Sequence, residues 1–278
     1  MNRKALFIDI DGTLVSYENR LPKSAKLAIF KARQKGHLVI FNTGRSKAEL
    51  TTDILDIGFD GLVLGNGNYV EVHDDVIYFE PMSLDVEKKV VDWLHSRQLE
   101  FYLESNNGLF ASENFREKSK PVLEKYMGTK NITVSENFGT GDIFPQMIYD
   151  GELYREDVNK ISFILDSYQD HLDSKLEFPQ LEANTWGGAG ELALFGDLGV
   201  KDINKRFAIE KVLKHLEIDI KDTVAFGDAK IDIPMLEICH IGVAMGNGGD
   251  EIKAIADFVT DSVEDDGLYK AFEKMNLI

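Results

Sequence analysis

The sequence contains a single cysteine, Cys239, among 278 residues. No intrachain disulfide can form, which excludes a small disulfide scaffold and fits a reducing, cytoplasmic setting. Cys239 lies in Met-Leu-Glu-Ile-Cys-His, a helical pattern, and reads as a small core residue rather than a nucleophile. Basic residues are few beside acidic ones, 31 Lys and Arg against 48 Asp and Glu, a formal net charge of −17. That balance argues against nucleic acid and anionic membrane surfaces as partners, because both need clustered positive charge. No apolar run approaches the roughly 18–20 residues of a membrane-spanning helix. Arg3 and Lys4 precede an apolar stretch, but it ends at once in Asp-Ile-Asp, so no secretory signal is expected. The six histidines show no paired metal spacing, no serine nucleophile elbow is found, and the Gly-Asn-Gly runs lack G-x-G-x-x-G.

What is present is an ordinary globular profile, 44% hydrophobic and 28% charged, long enough for one large or two ordinary domains. The first third alternates strand and helix patterns. Ala5 to Ile8 reads as a buried strand, and 22–36 as a helix with Pro22 at its start, Gly36 at its end and Ala25, Ala28, Ile29 and Ala32 on one face. A strand at 37–44, a helix at 46–58, a strand from Gly61 and a hairpin pattern at 68–80 follow. The last third repeats the style from the helix at 203–216 onward. This order predicts an α/β fold with a parallel sheet and helices on both faces. The middle has longer mixed helices and strands with polar interruptions (100–105, 159–166, 191–195), which reads as an α+β insertion. The expected borders are 1–81 and 197–278 for the two halves of the core and 82–196 for the insertion.

In an open parallel sheet, ligands bind at the carboxyl ends of the strands. Asp9 and Asp11 follow the first strand, Thr43, Gly44 and Arg45 the second, and Gly-Asn-Gly-Asn the third. Asp228 and Asp232 follow the strand at 223–226, and a second Gly-Asn-Gly run follows the next. Like charges held this close are unfavourable unless a cation, a proton or hydrogen bonds relieve them. Four carboxylates at one edge suit a hard divalent cation, Mg²⁺ above others. A calcium EF-hand is excluded, since Asp-Ile-Asp-Gly has no third Asp or Asn before its glycine and Arg20 stands where the closing Glu belongs. Strand alternation puts Asp9 and Asp11 on one side unless the chain turns there. Thr43 and Gly44 precede a helix pattern and could cradle an anion, with Lys205 or Lys201 supplying positive charge.

Four motifs in this order resemble those of the haloacid dehalogenase superfamily of phosphohydrolases. They are Asp9-Ile10-Asp11-Gly12-Thr13, Thr43 in Asn-Thr-Gly-Arg, Lys205 at the head of a helix pattern, and Gly227 to Asp232. The C-terminal stretch from Ile241 resembles the Cof-type subgroup, whose large α/β cap is inserted between the second and third motifs. The resemblance implies a Rossmann-like core and a cap that selects substrate. It implies an Mg²⁺-dependent phosphatase acting on a small phosphorylated metabolite, such as a sugar phosphate or an FMN-like or PLP-like ester. Asp9 would be the nucleophile that forms an aspartyl-phosphate, and Asp11 the general acid and base. Thr43, Gly44 and Lys205 would bind phosphate, and Arg45 would contact substrate. Metal would be held by Asp9, the Asp11 carbonyl, Asp228 and Asp232. One departure is Ile231, where the subgroup has Asn. A phosphosugar mutase uses the same core and is the alternative reading. A phospho-acceptor signalling module is a third, disfavoured by the length, the insertion and the pairing of Asp9 with Asp11.

Overall fold

The computed structural model describes residues 3–130, 132–186 and 192–278. Along the chain come β1 (Ala5–Ile8), α1 (Lys23–Gln34), β2 (Leu38–Asn42), α2 (Thr52–Leu55), β3 (Gly61–Leu64), β4 (Tyr69–Val72) and β5 (Asp75–Phe79). Then follow α3 (Leu84–Ser96), β6 (Phe101–Ser105), β7 (Gly108–Ala111), α4 (Phe115–Thr129), α5 (Thr140–Ile143) and β8 (Met147–Ile148). The middle closes with β9 (Val158–Ile164), α6 (Tyr168–Glu177), β10 (Leu181–Thr185) and β11 (Phe195–Val200). The last part holds α7 (Lys205–Leu216), β12 (Thr223–Gly227), α8 (Ile233–Ile238), β13 (Ile241–Ala244), α9 (Asp250–Ile255), β14 (Phe258–Val259) and α10 (Gly267–Lys274).

Two compact units result. The first holds the chain up to Gly44, Leu50–Phe79 and Ile203–Ile278. Its sheet runs β14-β13-β12-β1-β2-β3-β4-β5, parallel from β14 to β3 with the β4–β5 hairpin antiparallel at one edge. Alternation along the strands explains why β1 reads as an unbroken apolar run. Leu6 and Ile8 face a core shared with α1 and α10, while Ala5 and Phe7 face one shared with α7 and α8. Helix α1 buries Ala25, Ala28, Ile29 and Ala32, as their spacing predicts.

The second, inserted unit comprises Arg45–Glu49 and Glu80–Asp202. Its sheet runs β10-β11-β9-β6-β7-β8 and is antiparallel except for the β7–β8 pair. One face packs Val90, Val91 and Leu94 of α3 against Leu103, Ile161 and Leu198. The opposite face carries Tyr102 and Phe195 against Phe115 and Leu123 of α4.

Three sequence expectations change. The insertion extends beyond 196, because β11 pairs with β9 and β10 and carries 197–202 into the inserted unit. Part of the strand expected at 191–195 lies outside the described residues, and β11 begins only at Phe195. The helix expected over 46–58 is broken into a 3₁₀ turn at Lys47–Glu49 and the short α2. There the Ser46 N–H and hydroxyl both donate to Glu49 Oε2, at 2.6 and 2.9 Å, closing a local turn that competes with a continuous helix. Among the described residues no helix is long and apolar enough to cross a membrane.

Candidate active site

Asp9 follows β1, and its N–H still donates to the Phe226 carbonyl of β12 at 3.0 Å. The chain then turns, so strand alternation does not carry on to Asp11. The Ile10 carbonyl accepts the N–H groups of Thr13, Leu14 and Val15 at 3.3, 3.0 and 2.9 Å, and Gly12 takes a φ of +80°. A Cβ on Gly12 would lie 2.3 Å from Asp228 Oδ2, so the loop can rest against Asp228 only with glycine there.

Asp228, just beyond β12, is held by several donors. The Thr13 hydroxyl donates to its Oδ1 at 3.1 Å, and the Tyr17 phenol donates to its Oδ2. The Asn247 amide donates to the Gly12 carbonyl at 2.8 Å and lies 3.4 Å from Asp228 Oδ2, while its own Oδ1 accepts the Val263 N–H at 2.9 Å. Asp232 folds the loop back on itself, its Oδ2 accepting the N–H groups of Asp228 and Ala229 at 3.1 and 3.0 Å. Lys205, the first residue of α7, is completely buried and donates to Asp9 Oδ1 and Asp232 Oδ1, both at 2.5 Å. Thr43, just past β2, is buried; its N–H donates to the Val63 carbonyl at 2.9 Å and its carbonyl accepts from the Asn66 N–H at 3.0 Å. Gly44 lies beside the Asn66 side chain, where a Cβ would come within 3.1 Å of Oδ1.

The electrostatics follow from burial. Burial pushes the Asp9 carboxyl well above its usual range, Asp232 adds to the push, and Lys205 opposes it. Burial and then Asp232 raise Asp228 to about 7. Burial would strip the proton from Lys205, but Asp232 and Asp9 hold it on and move its titration above the usual lysine range. Asp9, Asp228 and Asp232 each offer a carboxylate oxygen within 4.8 Å of the others. Three carboxylates against one ammonium leave two negative charges uncompensated. An all-oxygen donor set with that deficit fits a hard divalent cation.

Asp9, Asp11, Thr43, Gly44, Lys205, Asp228 and Asp232 all belong to the first unit, at the carboxyl ends of its strands or the start of α7. Arg45 does not; it belongs to the inserted unit, where its guanidinium donates to the Glu49 carbonyl at 3.2 Å. Lys201 is also in the inserted unit and donates to the Pro179 carbonyl at 3.0 Å, so Lys205 alone of the two lysines meets the carboxylates. Ile231 is 42% exposed and contributes no polar group to them. Cys239 is buried and its thiol is pushed up to about 12, in keeping with a core role.

Sequence reasoning missed Tyr17 and Asn247. Asn247 had a usable signal, its position just past β13 at a strand end. Tyr17 had none, since only the turn at Ile10 brings it to Asp228.

Comparison with known proteins identifies the family of the chain. The family model for haloacid dehalogenase-like hydrolases matches residues 6–272. The chain is 27% identical over 278 residues to the 5-amino-6-(5-phospho-D-ribitylamino)uracil phosphatase YitU of Bacillus subtilis (strain 168), covering 94% of this chain and 93% of that one. It superposes on a crystal structure of a protein from Geobacillus kaustophilus HTA426 with a TM-score of 0.81, 26% identity and complete coverage of both chains. It superposes on the subclass IIB sugar phosphatase BT4131 with a TM-score of 0.77 and 27% identity, covering 99% of this chain and 100% of that one. The chain therefore belongs to the haloacid dehalogenase-like hydrolase family, and it is an enzyme of that family.

Proposed function

We propose that the protein is a Mg²⁺-dependent phosphohydrolase that releases phosphate from a small phosphorylated metabolite through an aspartyl-phosphate on Asp9. The observation that carries this reading is the Lys205 ammonium shared by Asp9 and Asp232, with Asp228 in the same buried cluster. Asp9 is the nucleophile, oriented by the Lys205 contact and by its backbone bond to β12. Asp11, at the turn beside it, protonates the leaving oxygen and then takes a proton from the attacking water. Thr43, the Gly44 N–H and Lys205 steady the phosphoryl oxygens as charge shifts between them.

Asp9, the Asp11 carbonyl, Asp228 and Asp232 would hold Mg²⁺, which when bound offsets repulsion between an anionic nucleophile and an anionic phosphate. Tyr17, Thr13 and Asn247 keep Asp228 in place for that task. The inserted unit serves as a cap that selects the leaving group, with Arg45 a contact to it. One relative is named for a phosphoribitylamino substrate and one structural neighbour is a sugar phosphatase, which supports a small phosphomonoester as substrate. The single buried cysteine supports a cytoplasmic setting.

The test is phosphate release from 4-nitrophenyl phosphate with and without Mg²⁺. Asp9→Asn is expected to lower turnover by roughly 10³-fold or more. Full activity in that variant would remove Asp9 from the chemistry.

A further inference from the structure

Gly44 and Lys205, two of the groups proposed to bind phosphate, sit at breaks in the chain of the first unit. Gly44 is the last residue before the segment Arg45–Glu49 leaves it, and the chain re-enters at Ile203, just ahead of Lys205. Each group is therefore held by regular structure on one side only, β2 before Gly44 and α7 from Lys205 onward. The other side needs lateral contacts, because a group misplaced by about 1 Å can lose most of its effect on the reaction.

The Gly65–Gly67 turn between β3 and β4 supplies such contacts. Three successive residues there take positive φ: +56° at Gly65, +59° at Asn66 and +121° at Gly67. Residues other than Gly and Asn rarely adopt such values, which explains the Gly-Asn-Gly sequence. The conformation turns the Asn66 N–H onto the Thr43 carbonyl at 3.0 Å. It also brings Gly67 against the residue that precedes Lys205, where a Cβ on Gly67 would lie 2.8 Å from the Asn204 carbonyl. One turn thus touches the chain on both sides of the gap.

Asn42, the last residue of β2, makes a second tie. It is completely buried, and its side-chain amide donates to the Lys205 carbonyl at 3.3 Å. That contact fixes the orientation of the amide, since an Oδ1 there would face another acceptor. The Asn42 Oδ1 and the Asn66 Oδ1 are both buried without a hydrogen-bond partner. An unmet buried acceptor is unfavourable, so each residue must contribute something else. Asn42 contributes its bond to the first residue of α7. Asn66 contributes a left-handed backbone, which Asn tolerates better than other residues with a side chain.

We propose that Asn42 and the Gly65–Asn66–Gly67 turn are positioning residues for phosphate binding, setting Lys205 and the start of α7 against Thr43 and Gly44 without touching phosphate themselves. This rests on the phosphohydrolase reading above and adds residues to which the motifs assign no role.

The experiment measures kcat and KM for 4-nitrophenyl phosphate, and Ki for inorganic phosphate as competitor, with Mg²⁺ and well below the melting temperature of each variant. Inorganic phosphate has no leaving group, so its Ki reports the phosphate contacts alone. Asn42→Ala and Asn66→Ala are expected to raise both KM and Ki by about tenfold with kcat lowered less, a part of the hundredfold that a 1 Å misplacement can cause. Asn66→Gly keeps the left-handed backbone and should stay within about twofold of wild type. KM and Ki unmoved in the alanine variants overturn the proposal, whatever happens to the melting temperature. An Asn66→Gly variant as impaired as Asn66→Ala also overturns it, because the side chain rather than the backbone would then be at work. Asn42→Ala removes one bond and adds no backbone strain, so it decides the matter if Asn66→Ala fails to fold. An active wild type with unmoved variants overturns this proposal alone. No phosphate release by the wild type overturns the phosphohydrolase reading itself, and this proposal with it.

Discussion

Single side chains decide how the buried charges are tolerated. Tyr17 donates to the Asp228 carboxylate that burial has raised to about 7, and that donation favours the charged form. Tyr17→Phe is therefore expected to weaken binding of the proposed metal by about tenfold, the scale at which partners of metal ligands act. Isothermal titration of the protein with Mn²⁺ or Mg²⁺ checks it, and unchanged affinity would count against a positioning role for the phenol. Glu87, in the first turn of α3, shows the cost of a buried acid elsewhere. Burial lifts its carboxyl from 4.5 to about 7. An acid whose pKa is raised on folding binds its proton more tightly when folded. Its stabilising effect is complete below the unfolded value and is lost as pH rises through about 7. Glu87→Gln should therefore melt higher than wild type at pH 8 and gain nothing at pH 4. A variant that melts lower at pH 8 would show that the charged carboxylate is well accommodated.

Elements turn these residues into a site by where they begin and end. Lys205 meets Asp9 because α7 starts at that residue, and Asn204 fixes the start by accepting the Phe207 N–H at 3.0 Å. Asn204→Ala is expected to cost about 1 kcal/mol of stability. It should also raise KM for a phosphomonoester more than it lowers kcat, since the first turn carrying Lys205 would fray. Urea denaturation and steady-state kinetics measure the two effects, and a stable variant with unchanged KM would separate the cap from the lysine's position. Much of this level was legible in the sequence. Pro22 and Gly36 bracket α1, and the apolar runs mark β1, β2 and β12. The stretch after Thr43 was not legible, because a Ser46–Glu49 side-chain turn breaks a segment whose composition suits a helix. A bulge at Asn159 in β9 was equally hidden, since it exists only by reference to β6 beside it.

For the whole molecule, the uneven distribution of charge leads to a test of stability. The carboxylates proposed to hold metal lie wholly within the first unit. A ligand that binds only the folded state stabilises it by about 2.7 kcal/mol when present at 100 times its Kd. Mg²⁺ is therefore expected to raise the melting temperature of the first unit by several degrees, with chelator reversing the shift. Asp228→Asn should lose most of it. An equal shift in that variant, read by calorimetry, would place the bound ion elsewhere on an acidic chain of net charge −17.

By itself the sequence determined the alternating core, the strand ends that carry Asp9, Thr43 and Asp228, and the absence of disulfides, because these depend on local patterns and composition. It also singled out Asp232 and Lys205 as candidates, by spacing and by resemblance. Only the tertiary structure decided that Lys205, rather than Lys201, bridges Asp9 and Asp232, and that Tyr17 and Asn247 support Asp228. It likewise moved residues 197–202 and the segment Arg45–Glu49 into the inserted unit. The physical reason is range. A strand or helix is written in neighbouring residues, whereas the compensation of a buried charge comes from groups that only folding brings within a few ångströms.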